Sequence, residues 1–155
     1  MSVQKLTENE FSFLRTLRLR LDETGDAIRD IPHTQFQNAQ GLRLLEYGDG
    51  PFCRLEPERV GDIAGVYALA IGDQAMFVGR TKGLEQRING QIGRISPRQC
   101  FEGGNPTHIR VNHMVWAAAA SGRSVDLWFC KIADQAQRTV LWRFRVCLLY
   151  LSPSP

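Results

Sequence analysis

Gly65-Val66-Tyr67-Ala68-Leu69-Ala70-Ile71-Gly72-Asp73-Gln74-Ala75-Met76-Phe77-Val78-Gly79 is the stretch that decides the fold. Val66, Tyr67, Leu69 and Ile71 form a β-rich run, Gly72-Asp73-Gln74 supplies turn chemistry, and Ala75 to Gly79 forms a second run. Two such runs joined by so short a turn predict an antiparallel hairpin. Downstream, Leu84, Ile88 and Ile92 recur at helical spacing, and Gly90 and Gly93 keep that helix short. A Gly/Pro-rich loop follows, with Ser96, Pro97, Gly103, Gly104 and Pro106. Thr107 is the predicted N-cap of a helix running to about Ala120 and stopping at Ser121-Gly122. Val125, Leu127 and Phe129 alternate as a third strand, and Ala133 to about Leu151 reads as a last helix.

Upstream, Leu14, Leu17 and Leu21 fit helical spacing and predict an N-terminal helix. Asp22 to Gly25 stops it, and Ile31-Pro32 disfavours further helix. Residues 33–62 read as irregular, with a short edge strand over Phe52 to Leu55. The order is α, irregular, β, β, α, α, β, α. This predicts an α+β chain, with residues 1–62 as an N-terminal helical and irregular extension and residues 63–155 as the main domain.

The chain has 155 residues, 43% apolar and 23% charged, which suits one folded domain and excludes a disordered chain. The longest apolar stretch, Val140 to Leu151, is interrupted by Arg143 and Arg145 and falls short of a membrane span. Glu8 and Glu10 stand where a signal peptide needs a basic start, so an intracellular, cytoplasmic protein is predicted. Cys53, Cys100, Cys130 and Cys147 form no C-x-x-C pair and read as free buried thiols. His33, His108 and His113 are too scattered for metal-ligand spacing. His108 and His113, with Arg110 and Asn112, make either an ordinary polar helix start or one that could meet phosphates.

Charge is divided unevenly. Residues 1–75 hold eight Lys/Arg against twelve Asp/Glu, a net −4, whereas residues 76–155 hold eleven against four, a net +7. A basic half predicts a polyanionic partner. The residues expected to contact nucleic acid are Arg80, Lys82, Arg94, Arg98, Arg110 and Asn112.

Gly65-Val66-Tyr67 on the first hairpin strand, Phe77-Val78-Gly79 on the second, and Arg87 in the following helix resemble the GIY-YIG nuclease superfamily. The resemblance runs from about residue 65 to 151, includes Gly79-Arg80-Thr81-Lys82-Gly83-Leu84, and is nearest to the restriction-endonuclease branch. It implies a three-stranded antiparallel sheet flanked by helices, double-stranded DNA as partner, and phosphodiester hydrolysis assisted by a divalent metal, Mg²⁺ or Mn²⁺. Tyr67 would position or deprotonate the attacking water, and Arg87 would hold phosphate oxygens with its guanidinium fork. Gly79 would let backbone approach closely. Phe77 takes the place of a second motif tyrosine, keeping the ring without the hydroxyl.

The resemblance puts the metal-binding glutamate at position 142, within Arg138-Thr139-Val140-Leu141-x-Arg143-Phe144. This chain has Trp142. An indole offers an N–H donor and no oxygen ligand, and no Asp or Glu follows Asp134. At about 100° per residue, Trp142 falls away from the Val140, Phe144, Cys147, Leu151 stripe and beside Arg138 and Arg145. The resemblance also implies an asparagine after a proline at the end of this region, where the given sequence runs Ser152-Pro153-Ser154-Pro155. Three functions stay open at this point: a DNA endonuclease, a catalytically impaired DNA-binding module, and a partner of another nuclease subunit.

Overall fold

The computed structural model describes residues 2–8 and 10–131. The expected last helix, and Trp142 within it, lie outside the described residues.

The hairpin forms as its alternation dictates. Strand β4, Gly65–Ile71, pairs with β5, Gln74–Thr81, in antiparallel register with Tyr67 opposite Gly79 and Leu69 opposite Phe77. Gly72 takes φ +56° at the first turn position, a conformation open to glycine at little cost. On its other side β4 pairs with β6, Val125–Lys131, placing Tyr67 opposite Phe129.

The sheet is wider than the three strands expected. Ser12–Leu17 is strand β1, not part of a helix, and it pairs antiparallel with β6, so the sheet runs β1-β6-β4-β5. The register slips at Leu14, between Phe13 opposite Trp128 and Arg15 opposite Leu127. Of Leu14, Leu17 and Leu21 only Leu17 is buried, so their helical spacing marks no common core face. The N-terminal helix that does form, α1, covers only Val3–Glu8.

Helices and loops cover both faces of this α+β sheet. Tyr67, Leu69, Leu127 and Phe129 face Leu84, Ile88, Ile92, Val111 and Val115 in the largest core cluster. Ala68 and Cys130 on the other face pack with Leu6 of α1 and Phe11. Side chains alternate between the two cores, as the strand period requires.

Two short strands, β2 (Arg29–Asp30) and β3 (Phe52–Cys53), pair with each other. The edge strand expected over Phe52 to Leu55 is thus two residues long. Helix α2 spans Pro106–Ala120, and its N-cap is Asn105, not Thr107: the Thr107 N–H donates to Asn105 Oδ1 at 3.0 Å. Phe52, Ile95, Cys100, Phe101 and Ile109 form a third cluster beneath α2. Residues 1–62 therefore supply a sheet strand together with Leu17, Cys53 and Leu55 of the main core. Among the described residues, Cys53, Cys100 and Cys130 are free buried thiols, and no helix is long and apolar enough to cross a membrane.

Candidate functional site

Tyr67 sits in the middle of the sheet, 2% exposed, with its ring centroid 5.7 Å from that of Phe77. Gly79, directly across the ladder, makes room for both rings. A Cβ there would lie 2.8 Å from Tyr67 Cζ and Oη and 2.7 Å from Phe77 Cε1, closer than real Cβ contacts occur. The three aromatic-motif positions are thus one packing unit.

Arg87 reaches the same region from the turn after β5. That turn is fastened by Thr81, whose Oγ1 donates to Gly83 O at 2.8 Å and accepts the Gly83 N–H at 3.1 Å. The helix then begins at Leu84 and continues as a π-helical segment, Gln86–Ile92, with Ile88 O accepting from Gly93 N–H at 2.7 Å. Its start is held to the preceding loop. Gly61 N–H donates to Glu85 Oε2 at 3.0 Å, and the Asn89 amide exchanges bonds of 2.9 and 2.8 Å with the backbone of Glu58. Leu84, Ile88 and Ile92 are fully buried, which leaves Arg87 half-buried between core and solvent.

Burial pushes the Tyr67 hydroxyl up to about 12, and the positive charge of Arg87 pulls against that rise. Strand and helix therefore bring Tyr67 and Arg87 within electrostatic reach of each other. The phenol is protonated at neutral pH.

A third element joins them. His108, in the first turn of α2 and 5% exposed, presents Nε2 to Arg87 Nη1. Asn105 Nδ2 lies 3.3 Å from the same ring nitrogen, and Gln99 Nε2 lies 3.0 Å from Nδ1. Burial, reinforced by the charge of Arg87, holds the imidazole down at about 4. His108 is neutral at pH 7. Among the described residues, the buried Arg87 Nε has no hydrogen-bond partner.

The expected nucleic-acid residues separate into groups. Arg80, Lys82 and Arg94 are exposed. Arg98 donates from Nη1 to Glu102 O at 2.7 Å and lies over the Phe36 ring, while Arg110 pairs with Glu46 Oε2 at 2.9 Å. Asn112 is not a surface contact. It is 1% exposed, accepts the Cys53 N–H at 3.1 Å, and donates to Cys53 O at 2.9 Å and Ile92 O at 2.8 Å. Its amide ties β3 and the end of the π-helical segment to α2, so it has nothing left to offer a nucleic acid.

Gln99 and Asn105 were not singled out from sequence, although both carry local signals. Ser96-x-x-Gln99 is the spacing of a capping box, and Asn105-Pro106 is the N-cap and first position of a helix. Among the described residues no group of three or more His, Cys, Asp or Glu is placed to hold a metal ion. No protein-family model, curated protein or solved structure matches the chain.

Proposed function

We propose that this chain is a GIY-YIG-type DNA endonuclease domain, nearest the restriction-endonuclease branch, whose cleavage step is impaired in the chain as it stands. The observation that carries the reading is that Tyr67 on a strand and Arg87 on the following helix lie within electrostatic reach of each other, with Phe77 and Gly79 packed beside Tyr67. Arg87 binds and orients the phosphate of double-stranded DNA through its planar donors. Tyr67, protonated at neutral pH, orients the attacking water by hydrogen bonding and is poorly matched to deprotonating it. Exposed Arg80, Lys82 and Arg94 supply cations for the backbone.

The metal that the resemblance implies does not fit the residues present. The ligand position carries the indole of Trp142, so no step is assigned to a metal here. That same tryptophan favours a second reading, a DNA-binding module that has lost cleavage.

Supercoiled-plasmid nicking with Mg²⁺ or Mn²⁺ tests the proposal. The unmodified chain should nick weakly or not at all, Trp142→Glu should gain metal-dependent nicking, and Arg87→Ala in that background should abolish the gain. A carboxylate-held metal contributes several kcal/mol of transition-state stabilisation, so the gain should span on the order of decades in rate. Robust cleavage by the unmodified chain would overturn the ligand assignment, and an inert Trp142→Glu would favour the binding module.

A further inference from the structure

The surroundings of His108 contain more donors than its ring can accept. Neutral imidazole has one N–H and one lone pair. Gln99 is fixed with its NH₂ toward Nδ1, because its Oε1 accepts the Ser96 N–H at 2.9 Å. Asn105 is fixed with its NH₂ toward Nε2, because its Oδ1 accepts the Thr107 N–H. Arg87 Nη1, a donor in every state, also meets Nε2. Whichever nitrogen carries the proton, one N–H of His108 faces another donor.

Arg87 adds to the imbalance. Arg15, Arg54 and Arg110 are paired with Glu58, Asp30 and Glu46. Among the described residues no carboxylate is paired with Arg87 and its buried Nε has no hydrogen-bond partner. A cluster of fixed donors that outnumber its one lone pair is complementary to an anionic oxygen.

We infer that Arg87, Asn105 and His108 form a seat for one phosphate-type oxyanion, in which His108 donates from Nε2–H because Gln99 occupies the lone pair of Nδ1. An oxygen entering between the three groups accepts from Arg87, from Asn105 Nδ2 and from His108 Nε2–H. Every clash is then relieved at once, with His108 a neutral donor and Gln99 the residue that selects its tautomer. The inference rests on the phosphodiester reading only for the source of the anion, which is a DNA backbone phosphate.

The test is a titration of the full chain, ¹⁵N-labelled at histidine, with inorganic phosphate and separately with a short DNA duplex, each at pH 7 and matched ionic strength in chloride. The His108 signals are identified by their loss in His108→Gln. Both ligands should drive Nε2 to the protonated and Nδ1 to the unprotonated ¹⁵N position, saturably. Gln99→Glu keeps an acceptor for Ser96 but offers Nδ1 a carboxylate. It should move the proton to Nδ1 and weaken phosphate binding at least tenfold. Ring signals unmoved by either ligand, or a bound state protonated at Nδ1, would overturn the seat. Duplex binding with His108 unmoved by duplex and by phosphate alike would overturn the seat and leave the DNA reading standing. A response to phosphate without one to duplex would keep the seat and remove DNA as the source of the anion.

Discussion

One turn apart on α2 stand two buried polar side chains with opposite circumstances. Asn112 uses its oxygen and its amide protons on Cys53 and Ile92, so each group meets a complementary partner. His108 is surrounded by Arg87, Gln99 and Asn105, which all bring donors. Burial of a polar group is inexpensive when its bonds are complete and costly when they are not. A satisfied residue such as Asn112 is explained by the folded chain alone. His108, among the described residues, is met by more donors than its ring can accept.

The comparison is most severely tested at Asn112. Replacing it with alanine strands the Cys53 N–H and two carbonyls in the core, and should cost about 3–5 kcal/mol in urea unfolding. A loss below about 1 kcal/mol would show that water or backbone movement replaces the amide.

The next effect is at His108 and depends on pH. Its value near 4 lies below the unfolded value of 6.5, so between them the unfolded chain binds the proton more tightly. Stability is therefore present above pH 6.5 and falls as the pH drops toward 4, by about 3 kcal/mol in all. His108→Leu should flatten that slope while costing about 1 kcal/mol or less at pH 7. An unchanged slope in melts between pH 4 and 7 would place the titration on another group.

Gly79→Ala tests the wall of the site. The added methyl meets the Tyr67 and Phe77 rings and should cost about 1–3 kcal/mol, read as a lower melting temperature with altered tyrosine fluorescence. The smallest effect belongs to Lys82, exposed beyond β5. Lys82→Ala should weaken duplex binding similarly for all sequences and reduce the log–log salt slope by about one.

What could be read from sequence follows the range of the interactions involved. The β4–β5 hairpin was legible because alternation and a Gly72-centred turn are local signals, and β6 because Val125, Leu127 and Phe129 alternate without interruption. β1 was not legible, since the bulge at Leu14 broke the period and its partner lies more than a hundred residues away. Tyr67, Phe77, Gly79 and Arg87 were grouped by resemblance to a known motif. The donors from Gln99 and Asn105 converge only through tertiary packing around His108. Asn112 misled because polarity on a helix ordinarily signals solvent, whereas here it completes the backbone bonding of β3.

The order of strands in the sheet differs from their order of synthesis. β6 lies between β1 and β4 yet is the last of the six to leave the ribosome. Until residues 125–131 emerge, β1 has no neighbour and β4 offers one bare, apolar edge. The hairpin can form early from local contacts, but closing the sheet requires a late insertion with large loop-closure cost, which slows folding. A nascent chain stalled before residue 125 would present that edge of β4 to other chains, which makes the interval before β6 arrives the point of greatest exposure to aggregation and to chaperones.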